Sequence, residues 1–183
     1  VNLNALKKKA YNLRWAEQKE GVIPLTAADP DYPCPPAVKE ALMEYISDGY
    51  FSYTPKTGLP EFRESVSRYI KKKRNEDVKP ENIVAVDSAA RAMFTIAKAF
   101  LQPGDEMIVF DPCDFLFRES CKSAGATPVF FTAAMDPETR KMDLSGLEDC
   151  VSEKTKMIGL CNPHNPYGIS YTKEQLDDIM TIC

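Results

Sequence analysis

The sequence predicts an α/β fold in which helices cover both faces of a mostly parallel sheet. Short apolar runs recur from residue 83 onward, and stretches of roughly ten residues with helical spacing separate them. The runs are apolar throughout instead of alternating with polar residues, which is typical of strands buried on both faces. We expect four strands in one sheet, at residues 83–86, 106–110, 127–131 and 156–161.

The helices of this fold have their own start and stop signals. Proline favours the first turn of a helix, so Pro60 opens one, and Gly49 ends the helix before it. Residues 172–175 form a capping box, in which two backbone N–H groups gain side-chain partners. The predicted helices are 38–46, 60–70, 89–101, 115–124, 144–151 and one that begins at Thr172.

The segment 22–36 is predicted to be an extended arm. It contains five prolines, which lack the amide hydrogen and restrict the backbone, so neither a helix nor a sheet ladder is expected there. We therefore divide the chain at residue 48. Residues 1–48 form the arm and a helical segment, and residues 49–183 form the sheet-bearing part.

Composition and charge exclude two classes of partner. Hydrophobic residues make up 44% of the 183 residues and charged residues 27%, which is ordinary for a globular protein. No apolar run approaches the ~18 residues that a membrane span needs. A net charge of −4 gives no field that attracts nucleic acid, and the basic run at 71–74 is typical of a helix end. We therefore expect neither a membrane nor a nucleic acid as a partner.

The six cysteines are predicted to be reduced. They occur without a C-x-x-C pair and with only one histidine in the chain, a pattern that argues against a structural zinc site. Scattered cysteines at apolar positions such as Cys161 are typical of proteins in a reducing compartment. We therefore expect a cytoplasmic protein.

A motif with two Asn-Pro steps follows the last predicted strand. Residues 162–168 read Asn-Pro-His-Asn-Pro-Tyr-Gly, and because proline cannot join a sheet ladder the strand must end there in a rigid turn. The carboxyl edge of an α/β sheet is where small ligands usually bind. The motif resembles the Asn-Pro-x-Asn-Pro-Thr-Gly segment of the class I/II aminotransferases, which are pyridoxal 5'-phosphate (PLP) enzymes of fold type I. The resemblance implies that Asn165 hydrogen-bonds the phenolic oxygen of PLP.

The same motif carries two expectations about conformation. His164 holds its variable position, so we expect this side chain to face solvent and not to act as a catalytic base. The resemblance also implies a cis peptide bond between Asn165 and Pro166, a state found in about 5% of X-Pro bonds. Tyr167 stands where the family usually has threonine.

The turn before the helix at 89–101 is a second segment of the resemblance. Residues 87–92 read Asp-Ser-Ala-Ala-Arg-Ala and are similar to the family's Ser-Gly-Ala-x-x-Ala. Free N–H groups at a helix start, together with the helix dipole, attract a phosphate. The resemblance therefore assigns Ser88, Ala89 and Ala90 to the phosphate of PLP. The alternative is an ordinary β–α turn without a ligand.

A third segment follows the second predicted strand. Residues 111–115 read Asp-Pro-Cys-Asp-Phe and resemble the family's Pro-x-Tyr/Trp, whose aromatic ring stacks on the pyridine of PLP. Phe115 is the nearest aromatic residue and is assigned that role, although Asp114 holds the usual spacing. A place in the hydrophobic core is the alternative for Phe115.

Two segments near the N-terminus complete the resemblance. Tyr53 and the following residues 58–63 resemble the family's Tyr…Gly…Leu-Arg segment, whose tyrosine reaches the phosphate in the neighbouring subunit, and this implies a homodimer. Residues 25–33 resemble the arm that meets the substrate carboxylate, with Ala28 at the contact position. The Ala-Ala-Asp sequence at 27–29 is also similar to the cystathionine β-lyase-like branch.

Together, these resemblances imply the N-terminal half of an aminotransferase, with an arm and the first part of a three-layer αβα large domain. The expected reaction transfers an amino group from an amino acid to a 2-oxo acid with PLP as cofactor. The family's Schiff-base lysine would lie beyond residue 183, so no catalytic residue is assigned in this chain. Two alternatives stay open, a PLP-dependent C–S β-lyase and a non-catalytic binding module that lacks the lysine.

Overall fold

The computed structural model describes residues 1–183 as two compact units. The first unit is Val1–Thr54 and the second is Pro55–Cys183. All of the β-strands belong to the second unit. The division of the chain into domains at residue 48 remains a prediction.

The first unit consists of short helical elements and the proline-rich arm. Asp31 ties the arm to the first helix, because its carboxylate accepts a hydrogen bond from the Trp15 indole at 2.8 Å and pairs with the Arg14 guanidinium. The arm has no regular secondary structure from residue 22 to residue 35, as its prolines predict. The helical elements are a π-helical turn at Ala5–Lys9, α1 at Leu13–Ala16 and α2 at Pro36–Ser47.

The second unit alternates helices and strands, which confirms the α/β class predicted from the sequence. Its longer helices are α3 (Pro60–Arg74), α4 (Ala89–Phe100), α5 (Leu116–Ser123) and α6 (Lys173–Ile182). Its strands are β1 (Glu106–Asp111), β2 (Thr127–Thr132), β3 (Ala134–Met135), β4 (Met142–Asp143) and β5 (Thr155–Gly159). Short 3₁₀ turns lie at Pro80–Asn82 and Glu148–Cys150.

The sequence signals for helix ends lie where they were expected. Pro60 occupies the first position of α3, and the cations of residues 71–74 fill its last turn, where they complement the helix dipole. The capping box opens α6. Thr172 Oγ1 accepts a hydrogen bond from the Gln175 backbone N–H at 3.3 Å, and Gln175 Oε1 accepts one from the Thr172 backbone N–H at 3.0 Å.

β1 is the central strand of a three-stranded parallel sheet with the order β2-β1-β5. In this register Glu106 is paired with Thr127, and Val109 is paired with Gly159. β3 and β4 form a separate antiparallel hairpin. Residues 107–110 are all buried, so the continuous apolar run of β1 reflects burial on both faces.

Side chains of β1 alternate between two hydrophobic clusters, one on each face of the sheet. Ile108 and Phe110 belong to the cluster that includes Ile179 of α6. Met107 belongs to the cluster that includes Ala97 of α4. Helices therefore cover both faces, and the predicted three-layer αβα arrangement is confirmed.

Gly159 allows α5 to pack closely against β5. A Cβ atom at this position would lie 2.6 Å from Met107 Cε and 2.6 Å from Phe117 Cδ1. Carbon atoms in contact prefer about 3.5–4.0 Å, so any side chain here would push those two residues aside. A side chain at the end of β5 would therefore loosen the packing of α5 against this strand.

The strand predicted at residues 83–86 does not form, and this prediction is wrong. The backbone is extended at Ile83, with φ −110° and ψ 126°, but the segment lies outside the sheet. Ala85 N–H donates a hydrogen bond to the Thr57 carbonyl at 3.0 Å, and Val84 is exposed. An extended segment becomes a strand only when a neighbour supplies a hydrogen-bond ladder, and no such neighbour lies beside it.

The helix predicted at residues 144–151 is also wrong, because only the 3₁₀ turn Glu148–Cys150 forms there. Two local features oppose a helix. Asp143 Oδ1 accepts a hydrogen bond from the Ser145 backbone N–H at 2.9 Å, which favours a turn. Gly146 then adopts a positive φ of 80°, which a right-handed helix cannot contain.

None of the helices is long and apolar enough to cross a membrane.

Candidate functional site

The turn before α4 presents unpaired backbone donors. Ser88 is the N-cap of the helix, and its Oγ accepts a hydrogen bond from the Arg91 backbone N–H at 3.1 Å. The N–H groups of Ala89 and Ala90 belong to the first turn, which has no partners within the helix. Ser88 and Ala89 are exposed and Ala90 is half-buried. The turn can therefore receive an anion from solvent.

The Asn-Pro turn is closed by its own backbone. His164 N–H donates to the Ile169 carbonyl at 2.7 Å, and Gly168 N–H donates to the His164 carbonyl at 2.7 Å. Asn162 has a structural role, since its Oδ1 accepts a hydrogen bond from the Tyr171 backbone N–H at 3.3 Å. The peptide bond between Asn165 and Pro166 is cis, as the resemblance implied.

Asn165 differs from Asn162 in having no hydrogen-bond partner for its side chain within the protein. Its side chain is exposed, directly after the buried His164. An amide group carries two donors and an acceptor. The turn therefore holds an exposed amide that is free to bind a ligand.

His164 is buried, so the expectation that it faces solvent is wrong. The residue is 1% exposed. Its Nε2 lies 2.8 Å from the Pro112 carbonyl oxygen, and its Nδ1 lies 3.0 Å from the Tyr171 hydroxyl. Its ring stacks on Tyr167, with 5.4 Å between centroids. Tyr167 and Tyr171, three and seven positions later in the chain, thus enclose the imidazole.

The tautomer of His164 follows from its neighbours. A carbonyl oxygen can only accept, so Nε2 carries the hydrogen and donates it to Pro112. Burial raises the pKa of the Tyr171 phenol, and the neighbouring Cys113 and Cys161 contribute to the shift. Tyr171 therefore keeps its proton and donates it to Nδ1. The result is a directed chain from Tyr171 through His164 to Pro112.

The turn after β1 places Phe115 in solvent. The residue is 63% exposed, so it is not part of the hydrophobic core, which was the alternative interpretation. Asp114 accepts a hydrogen bond from the Leu116 backbone N–H at 3.0 Å and thereby supports the start of α5. Phe115 is thus the aromatic ring that this turn offers to a ligand.

Cys113 lies in the same turn and has an unreactive thiol. Burial raises its pKa to about 11, the neighbouring Cys161 and Asp114 add to the shift, and a backbone hydrogen bond to Asp114 opposes it. Cys113 follows β1 and Cys161 follows β5, two strands that lie side by side. The thiolate of Cys113 is therefore scarce at neutral pH.

Alkylation of the full-length protein, meaning the product of the complete gene, should reveal the raised pKa of Cys113. Cys113 should react with iodoacetamide at pH 8 about 100-fold more slowly than an ordinary thiol, because two pKa units reduce the thiolate fraction by that factor. The exposed Cys34 serves as the internal reference. Peptide mass spectrometry at several pH values measures both rates. Equal rates for the two cysteines at pH 8 would contradict the shift.

The turn after β1 and the Asn-Pro turn lie at the same end of the sheet, because each follows the carboxyl end of one of two paired parallel strands. Met93 and Ile96 of α4 line a cavity of about 200 Å³ together with Gly159 and Leu160 at the end of β5. Met107 at the start of β1 lines the same cavity. The segment 101–105 joins the end of α4 to the start of β1, so the C-terminus of the helix lies near that start, and the position of its N-terminus relative to the Asn-Pro turn remains a prediction.

Tyr53 and Ala28 belong to the first unit, and both are exposed. The turn at Ser88–Ala90, the turn that carries Phe115 and the turn that carries Asn165 belong to the second unit. The assignment of all of these residues to one site remains a prediction.

Comparison with known proteins identifies the family. Residues 20–183 match the family described as aminotransferase class I and II. The chain belongs to this family. An aspartate aminotransferase from Bacillus sp. (strain YM-2) is 32% identical over 178 residues, which is 97% of this chain and 45% of that protein. The chain thus spans a little under half the length of this relative.

Solved structures of aminotransferases share the fold. Aspartate aminotransferase from Thermotoga maritima superposes with a TM-score of 0.82 and 31% identity, covering 98% of this chain and 45% of that one. Cystalysin from Treponema denticola, whose structure contains PLP, superposes with a TM-score of 0.81 and 25% identity. That match covers 99% of this chain and 46% of cystalysin.

PLP is the cofactor of this aminotransferase family, and the donor groups of the chain fit the parts of PLP that they would contact. The first turn of α4 offers unpaired N–H groups to a phosphate. The free amide of Asn165 offers a donor to the phenolic oxygen. The exposed ring of Phe115 offers a face or an edge to the pyridine.

Proposed function

We propose that the full-length protein is a PLP-dependent aminotransferase that transfers an amino group from an amino acid to a 2-oxo acid. The observation that carries this proposal is the exposed amide of Asn165, which the closed Asn-Pro turn holds without a protein partner at the end of β5. Membership of the aminotransferase family supports it. When bound, PLP supplies the electron sink for the reaction.

The residues of this chain have defined roles in the proposal. The N–H groups at Ser88, Ala89 and Ala90 hold the phosphate, where the dipole of α4 adds to the attraction. Asn165 donates a hydrogen bond to the phenolic oxygen of PLP and stabilises its deprotonated form. Phe115 packs against the ring and limits the access of water to it.

The proposal includes contributions from the first unit and from a second subunit. Tyr53 reaches the phosphate of the neighbouring subunit, so the working form is a homodimer. The backbone at Ala28 meets the carboxylate of the amino-acid substrate. Residues 1–48 are then the arm with part of a smaller domain, and 49–183 are the first part of the PLP-binding domain. The proposed location is the cytoplasm.

A C–S β-lyase is the second candidate function. The Ala-Ala-Asp sequence at 27–29 is similar to the cystathionine β-lyase-like branch. Both reactions use PLP, so the cofactor residues proposed above serve either one. The products distinguish them.

The test uses the purified full-length protein with PLP. With aspartate or alanine as donor and 2-oxoglutarate as acceptor, an aminotransferase forms glutamate and the matching 2-oxo acid. With cystathionine and water, a β-lyase releases homocysteine, pyruvate and ammonia. Glutamate formation without pyruvate from cystathionine is the expected result. Pyruvate release alone would favour the lyase, and PLP binding without turnover of either kind would favour a non-catalytic protein.

A further inference from the structure

His164 is buried at the point where three segments of the chain meet. Its Nε2 donates to the Pro112 carbonyl at 2.8 Å, in the turn that leads to Phe115. Its Nδ1 accepts from the Tyr171 hydroxyl at 3.0 Å, in the segment that leads into α6. Its own backbone belongs to the Asn-Pro turn, directly before Asn165.

The bond from His164 to Pro112 joins the Asn-Pro turn to the turn after β1, and a contact between the Cys113 and Cys161 thiols lies beside it. Pro112 lies 52 positions before His164 in the sequence, so this contact is purely tertiary. Both turns are otherwise stabilised locally, the first by Asp114 and the second by its own backbone. The pairing of β1 with β5 brings the two turns together, and the imidazole adds a direct tie between them.

The surroundings of the imidazole leave it little freedom. Tyr167 stacks on its face at 5.4 Å, and Phe110 lies below it with 6.3 Å between ring centroids. A ring held by two hydrogen bonds and by two aromatic neighbours cannot rotate without breaking several contacts at once. Any movement of the Asn-Pro turn relative to β1 would have to displace this ring.

We propose that His164 is a positioning residue, which sets the approach of Asn165 to the ring of PLP by tying the Asn-Pro turn to Pro112. This inference rests on the proposed function. His164 touches neither substrate nor cofactor in this role, and it acts through the residue that follows it. The buried histidine thus makes the Asn-Pro turn a fixed donor instead of a surface loop.

The first measurement is the pH dependence of the visible absorption of PLP bound to the full-length protein. Asn165→Ala should raise the pH midpoint, because the deprotonated phenolic oxygen loses a donor. His164→Leu should raise it in the same direction, by about 0.5–1 pH unit, and should weaken PLP binding about tenfold. His164→Gln retains an N–H donor that can reach Pro112, so it should restore most of both losses.

A double variant separates positioning from a general structural role. If His164 acts through Asn165, then His164→Leu should add no further shift of the midpoint in the Asn165→Ala background. Tyr167→Phe is the matched control. It keeps the ring that stacks on His164 and loses only the hydroxyl bond to the Ala133 carbonyl, so the midpoint should stay unchanged.

Hydrogen exchange of the protein without PLP gives a readout that does not depend on the cofactor. His164→Leu should speed exchange in the peptides that contain residues 113–116 and 164–169, since both turns lose their common anchor. Exchange in α3 should not change. His164→Gln should behave like the wild type.

The outcomes distinguish this inference from the proposed function. A midpoint that moves with Asn165→Ala but not with His164→Leu would overturn the positioning role and leave the proposed function intact. An additive shift in the double variant would overturn it as well. If the wild type binds no PLP, the proposed function fails, and the role of His164 toward PLP fails with it. Faster hydrogen exchange of both turns in His164→Leu would still show that His164 ties the two turns together.

Discussion

Replacing Ser88 with aspartate should weaken the binding of PLP to the full-length protein by about 100-fold, which corresponds to ~2.7 kcal/mol. Ser88 precedes the N–H groups that are proposed to hold the phosphate. A carboxylate about 5 Å from a phosphate charge raises the energy by about 3 kcal/mol at an effective dielectric constant of 20. The loss of PLP affinity should be smaller at high salt, because position 88 is exposed and dissolved ions screen the repulsion between the carboxylate and the phosphate.

The same substitution should leave α4 intact. Aspartate caps helices as well as serine does, and its charge is favourable near the positive end of the helix dipole. Thermal unfolding without PLP should therefore occur at the wild-type temperature or slightly above it. This separates a change in phosphate binding from a loss of folding.

Ser88→Asn is the matched control, because asparagine also caps helices and adds no charge. It should bind PLP within a few-fold of the wild type in a fluorescence titration of the cofactor-free protein. Equal affinity of the aspartate and asparagine variants would contradict the assignment of this turn to the phosphate. The alternative of an ordinary β–α turn would then apply.

The parts of the fold that could be predicted from the sequence are those whose causes are local. The apolar run of β1 indicates burial on both faces, and the structure buries residues 107–110. The capping box at residues 172–175 begins α6 at the expected position. Both depend on residues within one turn or one strand, so a single sequence contains the necessary information.

The two wrong predictions, the strand at 83–86 and the helix at 144–151, have different causes. Residues 83–86 have the composition of a strand, but a ladder requires a neighbour that the sequence pattern does not specify. The segment 144–151 has helical spacing, but Asp143 and Gly146 favour a turn and a left-handed backbone. The Asp-Leu-Ser-Gly sequence at 143–146 is the local signal that opposes the apolar spacing.

The candidate site also has one feature that follows from local sequence and one that depends on a distant part of the chain. The rigid turn that carries Asn165 follows from proline chemistry alone. The burial of His164 does not, because its partner at Pro112 is 52 positions away and is brought close only by the pairing of β1 with β5. The tyrosines at 167 and 171 were the available signal, since aromatic residues around a turn can enclose a polar ring.

Phe110→Ala should lower the free energy of unfolding by about 3–5 kcal/mol, the largest effect expected from a core substitution in this chain. Phe110 is 1% exposed and lies in the central strand. Its ring meets Phe131 edge-on at 5.2 Å and Tyr171 edge-on at 6.2 Å. Truncation would leave a cavity that this rigid sheet cannot close.

Phe110→Leu is the control for volume, because it keeps most of the apolar contact and should cost less than about 1.5 kcal/mol. Urea unfolding of the full-length protein without PLP, followed by circular dichroism, measures both variants. The ring of Phe110 also lies 6.3 Å from that of His164, so the alanine variant should loosen the Asn-Pro turn and weaken PLP binding. Alanine and leucine variants of equal stability would mean that the cluster around Phe110 does not hold the sheet together, and the position of the turn would then need another explanation.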